Sequence, residues 1–195
     1  MMGFDIGQDG LAEDAVTETI RASLVNVHVA QPGVVLSFDP ASQTATVAPA
    51  LRRNLNGVVS EVSALTGVPV MFPRCKDFAV TFPVQAGDAV LLVFADRSLD
   101  NYLGGDGDSA DPQDTRMHDL SDAIAIPGFG QQPILEFNPD DYQVRNTDNT
   151  ARFGMTKENK FELLNQDASL YAIIRAVLVL IGNPQLIEDL DKLMQ

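Results

Sequence analysis

The 195-residue sequence has no tryptophan, one cysteine, two histidines and only 13 basic residues. A lone Cys75 can close no intrachain disulfide and build no cysteine cage around a metal, so it reads as a free thiol. His28 and His118 stand ninety residues apart without ligand spacing, and no His-x-His pair is present to hold iron or zinc at a strand tip. The few basic residues are scattered apart from Arg52-Arg53, while 27 acidic residues bring the net charge to −14. Duplex nucleic acid is bound by neutralising phosphates with Lys and Arg, so this balance disfavours direct binding. The longest apolar run, Ala176 to Gly182, is too short to span a bilayer, and stable membrane insertion is not expected. The opening MMGFDIGQDGLAEDA is acidic and lacks a basic start followed by an apolar stretch, so it does not read as a secretory leader. Neither a Gly-x-x-x-x-Gly-Lys phosphate cradle nor a Gly-x-Gly-x-x-Gly dinucleotide turn occurs.

What is present is apolar: 45% hydrophobic residues suffice for a core and exclude wholesale disorder. Four segments differ in pattern. From about Asp9 to Val29, apolar residues at three- and four-residue steps (Leu11, Ala15, Val16, Thr19, Ile20, Leu24, Val27) predict a surface helix. Asp9 is its expected N-cap and Gln31-Pro32-Gly33 its stop. From Gly33 to Gly128 the pattern is β. Val34, Leu36 and Phe38 alternate, Asp39-Pro40-Ala41-Ser42 turns, and Thr44–Ala48 return as a partner strand. Val68–Phe72, then Phe78, Val80 and Phe82 on one face, then the central strand Ala89–Phe94 after Pro83–Asp88, complete the set. Short strands at regular spacing predict a small closed barrel of the oligonucleotide/oligosaccharide-binding (OB) kind. Asp96–Asp122, with eight aspartates against Arg97 and Arg116, reads as a solvated acidic excursion.

Past Gln132, three strand-like runs follow at roughly ten-residue spacing: Tyr142/Val144, Ala151/Phe153/Met155 and Phe161/Leu163. A meander this thin cannot cover its own apolar face, and three copies wrapped into an intertwined β-prism would. The last segment is helical. Leu170, Ile173, Ile174, Val177, Leu180 and Ile181 form a broad stripe, Gly182-Asn183-Pro184 interrupts it, and Leu186–Met194 resumes it. Its a/d-like spacing suggests helical self-association beside the prism. The fold class is therefore mainly β, with an N-terminal helix at 1–30, an OB-fold barrel at 31–130, a short trimeric β-helix or prism at 131–166 and C-terminal helices at 167–195.

Catalytic and metal chemistry finds little support. Ser121, His118 and Asp122 fall within a span of five residues with no Gly-x-Ser-x-Gly elbow around the serine. Asp106-x-Asp108-x-x-Asp111 hints at calcium, but the glycine is misplaced and Met117 stands where a bidentate glutamate is needed. The barrel phenylalanines Phe38, Phe78, Phe82 and Phe94 read as core, not as a stacking platform for bases. No catalytic residue, cofactor or metal is expected, and the chain reads as no enzyme.

The blocks PGVVLSFDPASQTATVAPALRR, GVPVMFPR, FAVTFPVQAGDAVLLVFADRSLDNYLGG and HDLSDAIAIPG, from about Val27 to Gly128, resemble in order and spacing the central spike protein of contractile-tailed bacteriophage baseplates. The resemblance is to the type with an N-terminal OB barrel. It implies a homotrimer on the tail axis, a virion component made in the bacterial host cytoplasm. A baseplate hub protein would lie above the barrels and an envelope-piercing point below. Longer members continue into a needle with a His-x-His iron tip. Here a few strands and leucine-rich helices follow the barrel, and no lysozyme-like insertion intervenes, which implies a separate tip protein at the C-terminal end. Together with the meander, it implies a trimer interface of Tyr142, Val144, Phe153, Met155, Phe161, Leu163, Leu170, Ile174, Val177 and Ile181. The alternative reading is an OB-fold adaptor that binds a protein or polysaccharide without a trimeric needle.

Overall fold

The first element, helix α1 (Gly7–Leu24), begins earlier and ends sooner than its apolar period predicts. Asp9 lies inside it and is not its N-cap. The β-branched residues Val25, Val27 and Val29 favour extended backbone, and after turn bonds from Val25 N–H to the Arg21 carbonyl and from Val27 N–H to the Leu24 carbonyl the chain straightens. Gln31, Pro32 and Gly33 are therefore no helix stop: they belong to strand β1 (Ala30–Asp39). The computed structural model describes residues 7–25, 27–55, 57–105, 109–112 and 114–194. Asp106 and Asp108, two of the three aspartates of the calcium-like spacing, fall outside them. Contacts divide the chain into one unit up to Gln131 and another from Gln132.

The first unit is a curled five-stranded antiparallel sheet, a half-barrel. Its strands are β1, β2 (Thr44–Pro49), β5 (Leu65–Pro69), β6 (Ala89–Phe94) and β7 (Ala123–Pro127), in the order β5-β2-β1-β6-β7. Its two edges approach each other through a parallel bridge between Val70 and Ala125, where Met71 N–H donates to the Ala125 carbonyl at 2.9 Å. Inward residues on all five strands or their extensions make one core: Val35, Ala45, Val47, Val68, Val70, Val90, Leu92, Phe94, Ala123 and Ala125. Gly33 lies under it because a Cβ there would come within 2.7 Å of Val47 Cγ1 and 3.0 Å of Leu92 Cδ1. A small hairpin, β3 (Arg53–Leu55) with β4 (Val58–Ser60), stands apart as its own two-stranded sheet.

Two strand expectations change. Simple alternation puts Val34, Leu36 and Phe38 on one face, but a bulge in β1 sets Val35 opposite Val47 and Ser37 opposite Thr46. Leu36 is the extra residue and points outward, so Val35 and Phe38 face inward across a change of phase. Phe78, Val80 and Phe82 form no strand. The backbone doubles back through an Arg74–Ala79 bridge and a Cys75–Phe78 turn, leaving Phe78 78% exposed. Phe82 lies beside a core-packed ring, 5.4 Å from Phe72, which in turn meets Phe38.

The second unit begins with an irregular stretch and continues as a three-stranded antiparallel meander, β8 (Tyr142–Arg145), β9 (Ala151–Met155) and β10 (Phe161–Asn165), ordered β10-β9-β8. Helices α3 (Leu170–Ile181) and α4 (Pro184–Leu193) follow as a hairpin with clear punctuation. Ser169 caps α3 by accepting from Ala172 N–H, and Gly182 closes it in the left-handed conformation at φ +76°. Asn183 then caps α4 with Pro184 in its first turn.

Candidate functional site

The acidic segment after β6 is not a solvated excursion at its far end. It contains the short helix α2 (Asp100–Gly104) and a 3-10 turn (Leu120–Asp122) leading into β7. Asp122 is only 1% exposed and accepts three bonds: Arg116 Nε at 2.7 Å, Arg116 Nη2 at 2.8 Å and Leu99 N–H at 2.9 Å. Arg116 also grips Asp100 and Asp114, each at 2.7 Å. The guanidinium bonds hold the Asp122 carboxyl below the usual carboxylate range, and Asp122 with Asp100 raises the arginine in turn. The segment is thereby tied to the root of the half-barrel. Sequence offered the two arginines among eight aspartates but not which aspartate would be buried.

Ser121, His118 and Asp122 are each turned elsewhere and form no nucleophilic relay. Ser121 Oγ donates to Asp119 at 2.7 Å, Asp122 serves Arg116, and His118 Nε2 lies 3.3 Å from Asp96. Among the described residues no group of three or more His, Cys, Asp or Glu is placed to hold a metal ion.

The meander presents the most distinctive surface. Its register sets Tyr142 opposite Met155 and Met155 opposite Phe161, and likewise Val144, Phe153 and Leu163. Since side chains alternate across a strand, these six residues form two parallel rows on one face of the sheet. All six are between 37% and 64% exposed. The opposite face is polar and close-set. Arg152 holds Glu162 through two bonds, Nε at 2.8 Å and Nη2 at 3.1 Å, and that carboxylate raises the arginine further. Between them sits Gly154, where a Cβ would collide with the Tyr142 carbonyl oxygen.

The C-terminal hairpin repeats this imbalance. Asp191 of α4 accepts from Tyr171 at 2.8 Å and pairs with Arg175 at 3.4 Å, which marks the side of α3 turned to α4; the carboxylate also raises the tyrosine. Helical geometry puts Ile174 and Leu178 on that same side, and both are half-buried. Leu170, Ile173, Val177, Leu180 and Ile181 are exposed, Leu180 by 86%. Of the expected interface residues on α3, Ile174 is half-buried while Leu170, Val177 and Ile181 are exposed. Ile134, Leu135 and Phe137, before the meander, are also exposed, and their close apolar spacing was the signal for them. No apolar side chain in the second unit is buried among the described residues; its buried residues are Gly154, Thr156 and Glu162. No helix of the described residues is long and apolar enough to cross a membrane.

A half-barrel with its own core, followed by a meander and a helical hairpin with exposed apolar side chains, defines a mainly β protein. The chain belongs to the family described as phage protein Gp138 N-terminal domain, which matches residues 31–128, the span of the five-stranded sheet. That membership supports a phage structural protein and a component of the virion. No individual curated protein matches the chain.

Proposed function

We propose that this protein is the central spike of a contractile phage tail baseplate and works as a homotrimer. The observation that carries this reading is the second unit's lack of any buried apolar side chain beside two aligned apolar rows on its meander. A three-stranded sheet open on one face is marginal in water. Completing the burial of six half-covered side chains would contribute about 1 kcal/mol each, roughly half the value of full burial. In the trimer the rows of three chains face one another as a short β-prism. The half-barrels, read as OB barrels, meet the baseplate hub, and a separate tip protein meets the C-terminal end. Contraction would drive this assembly towards the host envelope, and no step of that role asks for catalysis.

The net charge of −14 suits a part lying at the mouth of a DNA conduit, where an acidic surface does not adhere to the genome. The experiment is localisation with mass: a tagged copy imaged in the tail particle, and native mass spectrometry of the purified chain. A trimer on the tail axis supports the reading. A folded monomer that binds a protein or polysaccharide would favour an adaptor instead.

A further inference from the structure

The hairpin β3–β4 is an arm without a sheet to belong to, and an isolated two-stranded hairpin is marginal in water. Val58 and Val59 on it are exposed. Among the described residues, one hydrogen bond leaves Arg52–Glu61 for the rest of the unit: the Arg53 guanidinium donates to His28 Nε2 at 3.3 Å. His28 is well placed to be an anchor. Its ring lies 5.5 Å from the buried Phe94, and its N–H donates to the carbonyl of His118 at 3.2 Å. The fold thus brings the chain's two histidines, ninety residues apart, to one spot beside the arm.

We propose that the His28–Arg53 contact is a proton-operated latch that holds the β3–β4 arm to the half-barrel at neutral pH and releases it in acid. Only the neutral imidazole has a lone pair at Nε2 for the guanidinium. On gaining a proton that nitrogen becomes a donor facing a cation, so the bond is lost and repulsion replaces it. The charged groups around His28 are Arg53 from the arm and Asp119 from the residue preceding the 3-10 turn. Burial and then Arg53 lower the His28 pKa, with Asp119 opposing. The neutral, latched form is therefore favoured in the folded state, and the latch is lost as pH falls below the ordinary imidazole range. His118 pairs at Nε2 with Asp96, its φ is +49°, and its Nδ1 is buried without a partner. Its side chain makes no hydrogen bond to the arm among the described residues, and it serves as the internal control.

The test is hydrogen exchange of the Arg53–Ser60 amides in the full chain at about pH 8 and about pH 5, corrected for intrinsic exchange. The latch predicts an opening equilibrium for the arm about fivefold larger in acid, the scale set by losing one hydrogen bond. His28→Gln, which keeps an acceptor but does not titrate, should abolish the change, and His118→Gln should preserve it. Arg53→Gln should leave the arm open at both pH values. Unchanged protection across pH, or a response that survives His28→Gln, would overturn the proposal. The readout does not depend on whether the chain is a trimer.

Discussion

Single residues decide two close-set places in the half-barrel. Asp122 is buried under Arg116 and the Leu99 N–H, so Asp122→Ala leaves a backbone donor and a guanidinium without their partner. It should lower the unfolding free energy of the half-barrel by about 1–3 kcal/mol in urea titration. The pH dependence follows from the direction of the shift. A carboxyl held below its ordinary value contributes stability that is complete above the unfolded pKa of about 3.9 and is lost as pH falls through the folded value. The native half-barrel should therefore weaken below about pH 4 more steeply than Asp122→Ala, whose curve is flatter there. At Gly33 the constraint is space. Gly33→Ala pushes a methyl against Val47 and Leu92, and overpacking of this kind should destabilise by about 1–3 kcal/mol, read as a lower melting temperature.

At the scale of elements, the parts with strong local punctuation could be read from sequence. The strand pair β1–β2 around Asp39-Pro40, the central β6, the three meander strands and the α3–α4 break at Gly182-Asn183-Pro184 all occur where pattern and turn chemistry agree. The failures have physical causes. A bulge at Leu36 is one inserted residue with no turn signal, and it reverses which face is buried. Phe78–Phe82 alternates like a strand but finds no neighbouring strand to pair with, so the pattern alone cannot hold it in the sheet. The Arg116–Asp100, Leu99–Asp122 and His28–Arg53 contacts join distant segments, and spacing cannot reveal them. The meander yields the clearest element-level prediction. Phe153→Asp or Val144→Asp places a charge in the middle of an apolar row while leaving the half-barrel core untouched. Each should convert the purified protein to monomers by light scattering, with the half-barrel's melting unchanged.

For the whole molecule, the proposed function assigns self-sufficient folding to the first unit and assembly to the second. All ten core side chains lie in the first unit, so a fragment ending at Gln131 should fold by itself and run as a monomer. The second unit leaves its meander rows and apolar side chains on α3 bare, and it should hold its structure only in an assembly. The most direct measurement is the mass of the full-length chain under native conditions, by native mass spectrometry across a dilution series. The account predicts three copies per particle, persisting on dilution and abolished by Phe153→Asp. A full-length chain that stays monomeric with its meander folded, as seen by protected amides in β8–β10, would contradict it.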